Sequence, residues 1–525
     1  MEVLSKQNLY EILTSRYPLG EKKLAEIPNP SLLLNAEESA KRIADAVRNN
    51  EKITLVGDYD VDGVSSTAIM VDFFKQIPYP LEAIIPNRFK DGYGVSPNIL
   101  KRVDTDLIIT VDNGITALEA AEICKERNID LIITDHHTPS DSLPEALFIV
   151  NPKLKNCTYP FKEICGAQVA WLLLGLLKKE LALNINMKQF LDILCIAIIA
   201  DVMPLIDINR SLVKEGLKIL ENSARPSSII IRDFINKSSL SSEDISFQIA
   251  PRINCAGRLE DASIALDFFT ATDTHTAYKQ FELLGQLNEL RKETELQCTQ
   301  EAIELADTKS KIIVVAKENW HEGVVGIVAS RLVDRFSKPA IVLSISNGIA
   351  KGSARSIGEV DIFHLIQASE HLLTKFGGHK MAAGLGLLEE NIEKFSDAIN
   401  ISASNIDKSA FVPKENVLGK LQTEDIDLDL LTLLEQFEPY GEANSRPKFF
   451  IENAQVVNVQ LLGKDKSHSK IVVKQNPHDR QTLELIAFKT VYEIPENRLI
   501  SCNYTVTKNE FNSKVNTSSL ITKIY

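Results

Sequence analysis

No two of the seven cysteines, at 124, 157, 165, 195, 255, 298 and 502, form a Cys-x-x-Cys pair. An odd, scattered set argues against a disulfide framework and against a zinc ribbon, and fits a reducing cytosol. No apolar run approaches the roughly 20 residues of a membrane span, so no membrane partner is expected. The start, Met-Glu-Val-Leu-Ser-Lys-Gln, lacks the basic residues and apolar core of a signal peptide, and the expected location is cytoplasmic. Positive charge is in deficit too, with 58 Lys plus Arg against 71 Asp plus Glu and a net charge of -13. That balance speaks mildly against a nucleic-acid partner, although metal-binding carboxylates inflate the acidic count and a local basic channel can coexist with an acidic shell. What remains is an ordinary soluble composition, 44% hydrophobic with a mean hydropathy of -0.05. Its 525 residues are too many for one core, and about two to four domains are expected.

Ile53 to Gly63 reads Ile-Thr-Leu-Val-Gly-Asp-Tyr-Asp-Val-Asp-Gly. Four apolar or β-branched residues bounded by glycine predict a buried strand, and the carboxylates of Asp58, Asp60 and Asp62 follow at alternate positions. On an extended backbone alternate residues share a face, so at least two of these groups converge and repel unless a cation sits between them. A divalent metal answers that repulsion. The plainer reading is a solvated loop with an Asx turn and an N-cap for a helix over 64–74.

Asp-Leu-Ile-Ile-Thr-Val-Asp-Asn-Gly at 106–114 and Asp-Leu-Ile-Ile-Thr-Asp-His-His at 130–137 repeat one five-residue strand, with a helical segment over 117–128 between them. Such a β-α-β unit has parallel strands whose carboxyl ends share one edge of the sheet. Ligands of open parallel sheets bind at that edge, so Asp112, Asp135, His136 and His137 join Asp58, Asp60 and Asp62 in one crevice.

Residues 1–50 read as a helical lead-in whose last helix, 36–49, has Asn35 as a candidate N-cap. Further short strands are expected at 81–85 and 147–150, and helices at 166–180 and 186–200. The loop Pro-Asn-Arg-Phe-Lys-Asp-Gly-Tyr-Gly at 86–94 sets Arg88 and Lys90 beside a glycine turn, either as a solvated loop or as a phosphate contact. Asp201 follows the apolar run Cys-Ile-Ala-Ile-Ile-Ala. A carboxylate after a buried helix is costly unless paired, so Asp201 is either a helix-end hydrogen-bonding residue or a fourth metal-ligand position.

Asp-Tyr-Asp-Val-Asp-Gly at 58–63, Val-Asp-Asn-Gly at 111–114, Asp-His-His at 135–137 and Ala-Asp-Val-Met-Pro-Leu at 200–205 resemble the four signature motifs of the DHH phosphoesterase superfamily. The wider pattern is similar to the RecJ family of single-strand-specific 5′ to 3′ exonucleases. It includes Ala-Pro-Arg-Ile-Asn-Cys-Ala-Gly-Arg-Leu at 250–259, Trp-His-Glu-Gly-Val-Val-Gly-Ile-Val-Ala-Ser-Arg-Leu at 320–332, Gly-Ser-Ala-Arg-Ser at 352–356 and Gly-Gly-His-Lys-Met-Ala-Ala-Gly at 377–384. One departure stands out. Many superfamily members carry a metal-binding histidine where this chain has Val56, so Asp58 is expected to take over part of that role.

The chemistry asks for the same set. Attack on a phosphodiester is resisted by the charge of the phosphate and by the weak nucleophilicity of water, and two divalent ions about 3.5–4 Å apart address both. Oxygen-rich ligands with imidazole and no thiolate suit Mn²⁺ or Mg²⁺ over zinc. Asp60, Asp112, His136 and Asp201 are placed around the pair, with Asp112 as the bridge. Asp62 completes one ion, and Asp58 is a ligand or supports one. Asp135 caps a backbone turn or orients His136, and His137 donates to the charge developing on the scissile phosphate.

The stretch 210–307 reads as a helical connector in which Leu283, Leu284, Leu287 and Leu290 form a packing stripe. Arg252 and Arg258 flank a glycine-containing turn; Arg258 either reaches a phosphate or pairs with Glu260 or Asp261. A second lobe, 308–410, has strands at 312–316 and 340–344 around a helix at 324–336. There Ser353 and Arg355 suit a terminal phosphate, a glycine turn at Gly377 and Gly378 precedes a helix-like 380–383, and Trp320 and His321 offer ring surfaces for a base. The resemblance makes this lobe a DHHA1 nucleic-acid-binding domain whose Trp320, His321, Ser353, Arg355 and His379 contact the strand or its 5′-phosphate, with Arg88 and Arg258, outside the lobe, as further phosphate contacts. From 411 to 525 five short β-rich runs suggest an OB-type barrel. From Leu461 onward ten Lys plus Arg stand against six Asp plus Glu, a local +4 that fits a single-strand backbone, with Phe488 or Tyr504 as platforms.

The expected architecture is therefore an α/β chain with a parallel-sheet DHH catalytic domain at 51–209, a long helix leading to a smaller α/β DHHA1 domain, and a β-barrel. The resemblance implies hydrolysis of single-stranded DNA from its 5′ end to 5′-mononucleotides in repair and recombination, with a single-strand-binding protein and a helicase as candidate partners. Rival readings are a short-oligonucleotide hydrolase or pyrophosphatase, neither of which needs the barrel, and a silent binding subunit, which has no reason to keep a costly carboxylate cluster.

Overall fold

Ile53–Val56 forms strand β1, and its four residues are all buried, as an apolar run in a parallel sheet covered on both faces must be. In this computed structural model, which describes residues 1–17, 20–463, 466–476, 478–511 and 514–525, β1 is an interior strand of a five-stranded sheet. The others are β2 (Glu82–Ile84), β3 (Leu107–Val111), β4 (Asp130–Thr134) and β5 (Phe148–Val150), in the order β2-β1-β3-β4-β5. Every pairing is parallel, with Ile53 opposite Leu107 and Leu107 opposite Asp130, so the repeated strands end on one edge as expected. The helices Val61–Phe74, Gly166–Glu180 and Leu191–Ala200 carry the apolar side chains that cover the sheet.

Several local expectations change. Asn35 has φ of +63° and its side chain caps nothing; Nδ2 instead donates to the Ile149 carbonyl at 2.9 Å. The helix expected over 186–200 opens as a 3₁₀ turn, Met187–Phe190. Arg252 and Arg258 lie within one helix, Ala250–Leu259, rather than on a turn, and Gly257 sits in it because a Cβ there would lie 2.3 Å from the Tyr59 carbonyl.

The connector ends in one 32-residue helix, Thr274–Leu305. Of its leucine stripe only Leu284 and Leu287 are buried; Leu283 and Leu290 are exposed, because four leucines spread over eight positions span more of the helix than one packed face. The second lobe holds β6 (Ile313–Glu318), β7 (Ala340–Ser346), β8 (Ile349–Arg355), β9 (Leu373–His379) and β10 (Ala382–Leu388), ordered β6-β7-β8-β10-β9. The helix-like reading of 380–383 fails here: β9 and β10 pair as an antiparallel hairpin, Ala382 opposite His379.

The last region is a closed five-stranded barrel of β12 (Lys448–Leu462), β13 (His468–Lys474), β14 (Leu483–Ala487), β15 (Leu499–Phe511) and β16 (Lys514–Ile524), closed by the β12–β15 pairing, with the short β11 (Val417–Gly419) beside β12. Two of the five expected β-rich runs merge in the single strand β12, and β16 was not among them. The first residues of the chain pack here rather than leading into the first sheet. Leu4, Leu9 and Leu13 lie in the barrel's core with Leu430, Leu434 and Phe449, and Leu4 N donates to the Lys420 carbonyl at 2.8 Å.

Candidate active site

At the carboxyl edge of the first sheet the chain turns sharply, and each turn delivers a carboxylate or an imidazole. The extended run after β1 stops at Asp60, which caps the helix Val61–Phe74 by accepting from Gly63 N at 3.0 Å. The capping role and the expected metal role therefore fall on one residue. Asp62 reaches the site from the first turn of that helix, not from an extended face. Its two oxygens accept from Gly166 N at 2.6 Å and Ala167 N at 2.9 Å, at the positive end of the helix Gly166–Glu180. Gly166 is required there, since a Cβ would lie 2.5 Å from Asp112 Cβ and Oδ1. Asp112 follows β3 with φ of +63°, a conformation non-glycine residues hold only under constraint.

His136 Nε2 lies 3.2 Å from Asp112 Oδ1, 3.5 Å from Asp201 Oδ2 and 3.7 Å from Asp62 Oδ2. None of these contacts is a hydrogen bond: both ring nitrogens of His136, Asp112 Oδ1 and Asp201 Oδ2 are buried without a partner. Lone pairs facing lone pairs at this range need a cation between them. Burial disfavours charge on either partner, and it holds the His136 pKa below its ordinary value. Burial, reinforced by neighbouring carboxylates, also holds Asp58, Asp112 and Asp201 well above the usual carboxylate range, and burial and Asp62 raise Asp60. Three overlapping groups have ligand atoms within 4.8 Å of one another: Asp58, Asp60 and Asp112; Asp62, His136 and Asp201; and Asp112, His136 and His137. Asp112 belongs to two of them. The donor set of oxygen and imidazole fits hard divalent cations, and Val56, where many superfamily members carry a histidine, is buried in β1.

Asp135 orients His137, not His136. Its Oδ1 accepts from both backbone amides of the pair and from His137 Nδ1 at 2.8 Å, and its Oδ2 accepts from Ile115 N. A carboxylate only accepts, so Nδ1 carries the proton and Nε2 is free to face a substrate. Burial opposes the charged form of His137, but the bond to Asp135 and the surrounding carboxylates outweigh it and lift its pKa to about 9.

From this centre a cleft of about 1080 Å³ runs to the second lobe, lined by Asp60, Arg88, His137, Arg258, Ser353 and Arg355. Arg88 lies over the Tyr59 ring, 5.2 Å from its centroid. Arg258 pairs with neither Glu260 nor Asp261; it is held by the Gly323 carbonyl at 3.2 Å. Burial lowers its pKa, and Arg88, Arg291 and Arg355 push the same way. Arg355 donates to Ser353 Oγ at 2.8 Å, and Gly326, at the start of the helix Val325–Phe336, closes on both side chains. Guanidinium groups gathered against one another beside a helix N-terminus suit an anion.

Three expected contacts are elsewhere. Trp320 is 5% exposed, packs in the core of the second lobe and donates to Glu301 Oε2 at 2.7 Å, so it offers no face to a base. Tyr504 is buried in the barrel core, while Phe488 is exposed. His379 ends β9 in the open, with Nδ1 accepting from Met381 N, and it is Gly377 and Gly378 that line the cleft. His321 is half-buried and meets Phe89 edge-on, 5.6 Å between centroids. Sequence reasoning missed Asn254, whose Oδ1 accepts from Val61 N at 3.2 Å and which also lines the cleft. The Asn in 250–259 was its only signal.

Residues 52–198 match the DHH family N-terminal domain, 309–405 the DHHA1 domain and 419–523 the RecJ OB domain. The single-stranded-DNA-specific exonuclease RecJ of Bacillus subtilis is 37% identical over 480 residues, 89% of this chain and 60% of that protein, so the chain spans less than two thirds of that relative's length. The protein of the same name from Haemophilus influenzae is 32% identical over 482 residues, 86% of this chain and 84% of the relative. RecJ from Thermus thermophilus in complex with Mn²⁺ superposes with a TM-score of 0.79 at 29% identity, covering 95% of this chain and 73% of that one. Its Mg²⁺ complex gives 0.78 at 27% identity, with 99% and 74% covered. With its carboxylate and imidazole cage, its arginine-lined cleft and all three domains in order, the chain belongs to the RecJ family of single-stranded-DNA-specific exonucleases.

Proposed function

We propose that this chain is a metal-dependent exonuclease that degrades single-stranded DNA from the 5′ end and releases 5′-mononucleotides, in DNA repair and recombination. The observation that carries the reading is one cleft lined at one end by Asp60 and His137 of the acidic and imidazole cluster and at the other by clustered arginines. Mn²⁺ or Mg²⁺, two ions, would be held by Asp60, Asp62, Asp112, His136 and Asp201, with Asp58 beside them. When bound, such a pair acidifies the attacking water and offsets charge on the phosphate.

The remaining steps belong to the chain itself. Arg258, Arg355 and Ser353, with Arg88 across the cleft, hold a terminal phosphate and so set which phosphodiester reaches the acidic end. In a strand with a 5′-phosphate and a 3′-hydroxyl the terminal phosphate marks the 5′ end, which gives the polarity, and one nucleotide of spacing gives mononucleotides. His137, fixed through Nδ1 by Asp135, donates from Nε2 to the oxygen on which charge develops. The barrel's basic loops and exposed Phe488 receive the rest of the strand. Among the described residues no helix is long and apolar enough to cross a membrane, and all seven cysteines are free and buried. With those features the reading extends to a cytoplasmic enzyme working beside a single-strand-binding protein and a helicase.

The test uses single and double strands labelled at either end, with Mn²⁺, with and without chelator. Early loss of the 5′ label from single strands, abolished by chelator, is expected; early loss of the 3′ label or indifference to chelator contradicts the reading. Asp60→Ala and His136→Ala should each abolish cleavage while strand binding persists, and retained cleavage in either removes the metal assignment.

A further inference from the structure

The strand that is cut must continue past the metal centre, away from the anchored 5′ end, and the cleft just described accounts only for the anchored side. At the carboxyl edge of the first sheet stands a cation that no step has used, Lys153. Neither Lys153 nor Asp201 lines the arginine cleft. Lys153 lies just beyond β5, at the same carboxyl edge of the sheet as the acidic cluster, since Val150 pairs with Thr134 immediately before the Asp135-His136-His137 turn. Its backbone is tied to that turn through Asn151, which is fully buried. Asn151 Nδ2 donates to the His137 carbonyl at 2.9 Å, and its Oδ1 accepts from Lys153 N at 2.8 Å. The side chain is loosely held. Its ion-pair partner is Glu163 at 3.9 Å, the limit for such a contact, and that carboxylate is 52% exposed.

A cation beside a carboxylate-rich centre, tied by backbone and only weakly paired, is placed for an incoming anion rather than for structure. We propose that Lys153 binds the phosphate on the 3′ side of the scissile one, holding the strand that stays behind after each mononucleotide leaves. The assignment rests on the nuclease reading above. It makes Lys153 a substrate-binding residue that selects for strands longer than two nucleotides.

The experiment compares two 5′-phosphorylated substrates under saturating Mn²⁺. A thymidine dinucleotide has one scissile phosphate and none beyond it, whereas an oligothymidylate of roughly ten nucleotides has many. For Lys153→Gln, kcat/KM on the longer strand should fall about tenfold at moderate salt, and the slope of log kcat/KM against log salt should become shallower by ~0.7, the share of one single-strand phosphate contact. The dinucleotide rate should stay within about twofold of wild type, and Lys153→Arg should keep most of the rate and slope on the long strand. Equal loss on both substrates, as a misfolded centre or a contact to the scissile phosphate itself would give, overturns the proposal, as does an unchanged salt slope. Wild-type protein inert on both substrates would remove the nuclease reading and this role with it; active wild type with equal loss in the variant removes only the role of Lys153.

Discussion

Asp135 shows how a single carboxylate can serve a site through its neighbours. It accepts two backbone amides and His137 Nδ1, and so decides which nitrogen of His137 faces outward. Asp135→Asn keeps the shape but can offer an N–H where Nδ1 needs an acceptor. We expect kcat to fall roughly 10- to 100-fold with strand binding unchanged in a filter-binding assay. Gly166 acts through space it leaves empty. Gly166→Ala would press a methyl group against Asp112, and the affinity for Mn²⁺, followed by calorimetry, should drop by about 10- to 100-fold while the far-UV spectrum is kept. Asp58, Asp60, Asp112, His136 and Asp201 were legible as residues because no fold needs carboxylates and histidines in such a pattern. The partner of Asp135 was not, because hydrogen bonds from two adjacent histidines to one aspartate depend on a turn geometry that spacing does not encode.

Among the elements, the 32-residue helix Thr274–Leu305 does more than link two lobes. Glu301 near its end accepts from Trp320 Nε1 and pairs with Lys317 at 3.0 Å, which seats the second lobe's first strand and loop on the helix. These bonds, with Trp320 first, lower the pKa of Glu301 to about 2 from 4.5. A depressed carboxylate stabilises the fold above its unfolded value and loses that contribution as pH falls through its folded value. The stability difference between wild type and Glu301→Gln, measured by urea unfolding, should therefore be constant above pH 4.5 and narrow as pH falls towards 2. A difference that widens on acidification would contradict the assignment. Strands and helices with one strong period were readable here. The β9–β10 hairpin was not, because Gly377 and Gly378 suggest a turn equally well, and only pairing with Gly384 and Ala383 of β10 settles that they are strand.

Over the whole molecule, the first residues close the chain back onto its last region. Leu4, Leu9 and Leu13 are buried in the barrel's core, and each buried leucine contributes about 1.5–3 kcal/mol. Deleting residues 1–14 should destabilise the barrel by on the order of 5 kcal/mol and separate its unfolding from that of the rest of the chain in calorimetry. Arg210 strengthens the same junction. It donates to the carbonyls of Phe437, Glu438 and Pro439 and lies over the Tyr17 ring, tying the helix Asp207–Asn222 to the segment that enters the barrel. The net charge of -13 pointed mildly away from nucleic acid, yet the chain belongs to a family of DNA exonucleases. Net charge averages over a surface, while a strand meets only the arginines and lysines along its path.

Local order was enough to specify the parallel sheet, its repeated strands, the barrel's β-rich character and the chemistry of the acidic edge, since side-chain period and residue type act within a few positions of the chain. Only the folded chain decided that Asp62 is gripped by the amides of Gly166 and Ala167, that Trp320 packs inward, that Arg258 joins Arg88 and Arg355, and that the N-terminal helix belongs to the barrel. Those outcomes hang on which distant surfaces meet, and burial and hydrogen-bond satisfaction are settled only once they do.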